Sequence, residues 1–253
     1  YLLNERLVLG ASSVIGFLIL WETIVVLGWV KPLLVSSPTR IIRAAIDIFQ
    51  LGQIWFDFYI STVEFLLGFG LAIIIGIPIG IAAGWNQKFN YCIDPFLSAF
   101  YALPRVALLP LIVLWAGIFI WSKVAVVFLG AFFPIAINTL AGMKVVDQTY
   151  LKMAKSFSAS DMTILRTIAL PGSVPFILTG LRLGVGRALV GMVVGELFAA
   201  QAGLGYRLTY YGQLFQVDRM MVYILIIAIF GIVCVEGLSR LEKRFDKWRP
   251  EKA

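Results

Sequence analysis

The chain has 253 residues, 60% of them hydrophobic and only 14% charged, with a formal net charge of +7. A mean hydropathy of +0.93 is too high for a water-soluble fold of this size to hide. It excludes a soluble domain, a disordered chain and a disulfide scaffold, and it leaves an integral membrane protein. There is no histidine, and the only cysteines are Cys92 and Cys234. Ser-His-Asp catalysis, a zinc-metalloprotease helix and a usual zinc site are therefore absent, and no catalytic or metal-ligating residue is expected.

Six of the 21 basic residues fall in the last fourteen positions: Arg240, Lys243, Arg244, Lys247, Arg249 and Lys252. They follow an apolar segment directly, which predicts a cytoplasmic flank facing anionic lipid and no nucleic-acid partner.

Six apolar stretches are long enough to cross a bilayer. The first covers 7–30 and is interrupted only by Glu22. Its length, and the Lys31-Pro32 that follows, predict a retained span instead of a cleavable signal. Residues 38–58 carry apolar side chains at helical spacing (Ile41, Ala44, Ala45, Ile48, Phe49) behind Pro38. That pattern, with its interrupting charges, predicts a helix along the outer membrane interface. The second span is 65–85, free of charge, and the third is 95–122, a tilted or broken helix holding Arg105 between Pro104 and Pro110. After Lys123, taken as a loop charge, come 124–143, then 175–200 with Arg182, Arg187 and Glu196, then 220–235 extended through Leu238. An even count puts both termini on one side. If that side is cytoplasmic, twelve basic residues lie inside and six outside, as the positive-inside rule requires.

The longest polar stretch expected on the inner side is 144–175. Asp147-Gln148-Thr149 starts one helix running to about Phe157. Ser158 is expected to cap a second, with Asp161 three residues on, which stops before Pro171. Such a hairpin presents Ala154, Phe157 and Ala159 at its bend, a knob shaped for a partner's groove.

At this loop the sequence resembles a known family. Lys152-Met153-Ala154-Lys155-Ser156-Phe157-Ser158, nine residues, then Ile168-Ala169-Leu170-Pro171 is similar to the "EAA" loop of type I ABC importer permeases. In that loop Glu-Ala-Ala, three residues and Gly precede nine residues and Ile-x-Leu-Pro. Lys152 stands at the Glu position, Met153 at the first Ala and Ser158 at the Gly. Further stretches resemble the nitrate/sulfonate/taurine/bicarbonate branch. They include Gly76-Ile77-Pro78-Ile79-Gly80, Leu103-Pro104 … Leu114-Trp115-Ala116-Gly117, Phe132-Phe133-Pro134 … Asn138-Thr139, Gly180-Leu181-Arg182 and Gly195-Glu196. Glu64 sits where the branch usually has Arg, and Arg105 where it has an apolar residue or Pro.

The resemblance implies an all-α, polytopic fold with six transmembrane helices, of the type I ABC importer permease kind, in a prokaryotic inner membrane. It divides the chain into a first span with its external helix (1–56), a permease core (57–241) and a basic tail (242–253). The coupling loop within that core, 144–171, would dock through Lys152, Ala154, Lys155, Phe157, Ser158, Ala159, Ser160, Asp161, Leu170 and Pro171. The implied partners are ABC ATPase subunits, a second permease copy, an extracytoplasmic substrate-binding protein and membrane lipid.

No Gly-x-x-x-x-Gly-Lys-Ser/Thr occurs in the chain, so it is not expected to be an enzyme and needs no cofactor of its own; ATP and Mg would sit on the partner ATPase. A cation inside a span points to function. Arg105 is thus a candidate for attracting an anion along the path, joined by Asn138 and Glu196, whereas Arg182 is expected to be structural. Arg182 and Arg187, five residues apart, face different directions. Glu196 is expected near the outer end of its span, paired with an arginine or serving a gate. Glu22 and Glu236 are expected to be snorkelling or paired. The competing reading, a stand-alone secondary transporter or channel, could use Arg105 and Glu196 without ATP. It has no inverted repeat and leaves the hairpin unexplained.

Overall fold

The computed structural model describes residues 2–31, 34–146 and 148–245, and these are helical without any strand. Tyr1, Pro32, Asp147 and most of the expected basic tail, 246–253, lie outside the described residues.

Helix α1 (Leu2–Val26) is apolar on all sides and exposed along nearly its whole length, as suits a surface turned to lipid. Helix α2 (Pro38–Leu51) buries the expected face, Ile41, Ala44 and Ile48. It is shorter than the expected 38–58. Gly52 takes a left-handed φ of 72° and its N–H bonds back to Phe49 O, a glycine C-cap that ends the helix. Glu22 on α1 closes the other end, accepting from the Thr39 N–H at 3.0 Å and the Thr39 hydroxyl at 2.7 Å. A carboxylate is favoured at a helix N-terminus, so Glu22 is indeed paired.

Residues 53–58 belong to α3 (Gln53–Trp85). Its 33 residues run for about 50 Å, well beyond a hydrocarbon core of ~30 Å. The third span is broken, as its prolines suggested. Helix α4 (Gln87–Ala102) ends where Leu103 turns extended before Pro104, and a 3₁₀ turn (Arg105–Leu108) leads into α5 (Leu109–Ala116) at 92° to α4. A residue before proline is driven out of the helical region, and proline brings no N–H to continue the ladder. Helix α6 (Ile120–Lys144) begins early enough to include Lys123, which is no loop charge.

The hairpin consists of α7 (Gln148–Ser156) and α8 (Asp161–Ile164). The second helix does not stop before Pro171, as expected. A π turn over Leu165–Ala169 bonds the Leu170 N–H to Leu165 O and carries the chain into α9 (Leu170–Ala199), where Pro171 sits in the first turn. The missing N–H breaks nothing there. Helices α10 (Leu204–Gln213) and α11 (Val217–Phe245) complete the chain. Five continuous helices are long and apolar enough to span a membrane, and the bent pair brings the number to six.

The chain forms two compact units, Tyr1–Ile60 with Ala202–Ala228, and Ser61–Gln201 with Ile229–Ala253. The first packs Ile41, Ile48, Ile54, Leu204, Tyr211 and Tyr223 into one core. Its buried Asp57, 0% exposed, accepts from Arg207 at 2.8 Å and from the Gly203 N–H at 3.1 Å. Burial opposes the charge on Arg207, but the hydrogen bond and charge of Asp57 outweigh it and hold the guanidinium above its ordinary pKa.

The core of the second unit is Phe65, Ala72, Val127, Ala131, Ile135, Val185, Ala188 and Met192. Gly68, Ala72, Gly76 and Gly80 recur every fourth residue on α3 and form the face that meets α6. A Cβ at Gly80 would lie 2.6 Å from Ala136 O, and one at Gly191 on α9 would lie 2.9 Å from Val126 O. Apolar helices have no water to drive them together inside a bilayer, so close backbone packing across small residues supplies the adhesion.

Candidate functional site

Three features of the second unit carry chemistry. The first is the hairpin. Helix α7 ends in a double cap: the Ser158 N–H bonds Lys155 O at 2.9 Å and the Ala159 N–H bonds Ala154 O at 3.1 Å. Ser158 itself has a φ of 57°. This is a Schellman closure with a non-glycine residue in the left-handed position. Ser158 is therefore the end of the first helix, not the cap of the second as expected. That role falls to Ser160, whose hydroxyl accepts from the Thr163 N–H, with Asp161 in the first turn.

The closure leaves Phe157 at the tip, 82% exposed. Ala154 and Ala159 are half-buried beneath it, and Lys152 and Lys155 are exposed. The two lysines and Asp161 line a cavity of about 560 Å³ together with Trp85 and Met143. Leu170 and Pro171 lie after the π turn, at the start of α9.

The second feature is a cavity of about 280 Å³ under the break of the third span. It is lined by Tyr101, Leu103, Pro104, Arg105 and Val106, and by residues of α6 and α9 that include Arg187. Arg105 sits in the 3₁₀ turn. Its guanidinium lies 5.7 Å from the centre of the Tyr101 ring and 5.8 Å from that of Phe133, and its buried Nε has no hydrogen-bond partner. Among the described residues, no acidic side chain lines this cavity.

Of the other two expected path residues, neither lines it. Asn138 donates to Pro134 O of its own helix at 2.8 Å. Glu196 belongs to the third feature. Arg182 and Arg187 face different ways on α9, as their spacing predicts. Arg182 pairs with Glu242 at 3.1 Å, while Arg187 joins Arg105. That meeting depends on which turn of α9 crosses the bend, which no local pattern encodes.

The third feature escaped sequence reasoning almost entirely. Glu196 is buried at 1% exposure. It accepts from the Ser61 hydroxyl and lies beside Glu64, which is 3.7 Å from the Lys123 ammonium. Lys123 also donates to Ile118 O at 2.9 Å and Ala199 O at 3.2 Å. All four residues are 4% exposed or less. The available signal was Glu64 and Lys123 flanking uncharged runs. Reading Lys123 as a loop charge concealed it.

A polytopic helical membrane protein with a capped polar hairpin and a broken span suits a transporter's membrane subunit. Residues 76–248 match the family described as binding-protein-dependent transport system inner membrane component, and the chain belongs to that family. Over 98% of its length it is 32% identical to the taurine transport system permease protein TauC of Escherichia coli, of which 92% is covered. Over 91% it is 32% identical to the putative aliphatic sulfonates transport permease protein SsuC of Bacillus subtilis, of which 83% is covered. Among solved structures, an inward-facing form of the MetNI methionine ABC transporter superposes with a TM-score of 0.65 over 74% of this chain and 93% of that one, at 17% identity. That likeness shows the type I permease fold. The chain is thus a multi-pass permease subunit of a binding-protein-dependent ABC transporter.

Proposed function

We propose that the chain is the membrane half of an ATP-driven importer for small organic anions of the sulfonate type, working as two copies around one path. A separate ATPase subunit carries ATP and Mg, and a binding protein outside delivers the solute. Both termini and the hairpin face the cytoplasm. The observation that carries the coupling role is the hairpin. Its double cap holds a bare phenylalanine at the tip of a nine-residue helix, and a large exposed aromatic on an ordered tip suits a partner's groove. The 253 residues contain no P-loop, so work must reach the helices mechanically, and α9 runs without a stop from the hairpin into the bilayer. The exposed flank of α1 suits lipid, which the chain needs along its outer face. The names of the relatives and the uncompensated cations beside the broken span support an anionic solute. Arg105 lines the path, with Asn138, bonded within its own helix, and Glu196, tied to Ser61 of α3, behind it.

Reconstitution in liposomes with the ATPase and binding protein tests this reading. Burying a phenylalanine is worth ~1.5–3 kcal/mol, whereas an exposed ion pair is worth ~0.2–1 kcal/mol. Phe157→Asp should therefore abolish solute-stimulated ATP hydrolysis, and Lys152→Ala should lower it only modestly. The opposite order would refute the docking role of the tip. Uptake by the wild-type chain with no ATPase present would favour a stand-alone transporter.

A further inference from the structure

We propose that the cavity under the bend is the seat of the transported solute's oxyanion head group, held by Arg105 and Arg187 together. The proposal rests on the permease reading above and adds to it a second cation and a defined site.

Four observations point to an anion there. First, Arg105 makes no ion pair among the described residues, and its Nε is buried without an acceptor. The flanking rings of Tyr101 and Phe133 offer their faces to the positive charge, but a ring face is no substitute for an oxygen acceptor in the plane of the guanidinium. Second, Arg187 is near enough for its charge to act on Arg105. Two like charges at one cavity repel, and a bound anion turns that repulsion into attraction.

Third, the backbone is arranged to bring them together. A Cβ at Gly130 would stand 2.7 Å from the Arg187 carbonyl oxygen, so only a glycine there lets α9 press its Arg187 turn against α6 beside the bend. Fourth, the cavity selects by size. At about 280 Å³ it lies just under the ~300–1,000 Å³ of pockets for drug-sized ligands, so it takes a compact head group on a short chain. Planar guanidinium groups bind tetrahedral or trigonal oxyanions through paired N–H donors. A sulfonate fits this well, having three equivalent acceptor oxygens and no proton to lose. A phospholipid head group offers the same oxyanion chemistry, so the test must separate solute from lipid.

The test measures binding of radiolabelled 2-aminoethanesulfonate to the purified permease–ATPase complex with the binding protein left out. Its isosteric, uncharged sulfonamide serves as control. Wild type should bind the sulfonate and not the sulfonamide. Losing one charge-assisted contact should weaken binding about tenfold or more in Arg187→Gln, whose side chain is exposed. Arg105→Gln should do the same, and Arg105→Lys should recover part of the loss. Native mass spectrometry of the same samples reads bound lipid. An anionic phospholipid retained by wild type and lost in both Gln variants, with no sulfonate binding, would overturn the solute assignment. So would sulfonate binding that neither variant weakens. Liposome uptake separates the two levels. A wild-type complex that binds the sulfonate but imports none of these anions would refute the importer reading and leave the seat standing. Import without any direct binding would refute the seat alone.

Discussion

Two groups of charges lie within the same helical unit and obey opposite rules. At the Glu64–Lys123–Glu196 cluster opposite charges meet: an ammonium lies 3.7 Å from a carboxylate and bonds two backbone carbonyls, and a serine hydroxyl bonds the other carboxylate, although Glu64 Oε2 has no hydrogen-bond partner among the described residues. At the bend, two arginines share a cavity that no carboxylate lines among the described residues. Burying a charge is tolerable when partners satisfy it and costly when they do not. The first arrangement supplies most of its partners from within and ties α3, α6 and α9 together. The second has no carboxylate among the described residues of its lining, and the proposed anion would supply the missing negative charge. Compensation, more than burial alone, separates a structural charge from a functional one here.

The largest way to break this contrast is Lys123→Met. It leaves Glu64 facing Glu196 with no cation, and removing one partner of a buried ion pair costs ~3–5 kcal/mol. The solubilised protein should show a sharply lowered melting temperature. Adding Glu64→Leu should restore much of it, because replacing both members of such a pair by apolar groups is often neutral. A Lys123→Met variant that melts like wild type would remove the cluster's structural role.

A smaller loss is expected at the compensated pair of the other unit. Asp57→Ala strips Arg207 and the Gly203 N–H of their acceptor, and hydrogen bonds to charged groups are worth ~1.5–3 kcal/mol. Thermal unfolding should report a loss in that range.

The arginines of the cavity should behave differently. Arg105→Gln strands no partner and gives up only contacts with two rings, each worth ~0.5–1 kcal/mol at most, while relieving its repulsion with Arg187. Its melting temperature should stay close to wild type even as anion binding falls. A collapse in stability as large as that of Lys123→Met would mean that Arg105 is structural after all.

The smallest effect lies in the hairpin. Ser158 holds a left-handed φ of 57° that costs an L-residue ~1–2 kcal/mol, part of which glycine returns as backbone entropy of the unfolded chain. Ser158→Gly should therefore gain up to about 1 kcal/mol locally. Slower hydrogen exchange at the Ser158 and Ala159 amides, whose N–H groups close the cap, would show it. Exchange that is unchanged or faster would rule out strain at that turn.

Much of this protein was legible in the chain. Membrane residence, the six spans, the break at Leu103-Pro104 and the hairpin between the fourth and fifth spans all follow from local chemistry. Hydrophobic run length, the steric effect of proline on its predecessor and the spacing of one loop need no distant contact. The caps were only half legible, because Ser158 and Ser160 are both plausible N-caps. The choice went to Ser160 once the chain left α7 through a left-handed residue. The π turn before Pro171 was misread for a similar reason: a proline at the start of a new helix looks, locally, like the end of the old one.

The pairing of charges was decided only in three dimensions. Lys123 next to an apolar run looks like a loop charge until α6 is seen to begin at Ile120. Arg187 looks like a neighbour of Arg182 until the bend of the third span comes to rest against its turn of α9. Periodicity records which face of a helix a residue occupies. Which partner that face meets is set by backbone approach across glycines such as Gly130 and Gly191. Sequence therefore determined where the charges lie along each helix, and tertiary packing determined which of them are answered and which are left open.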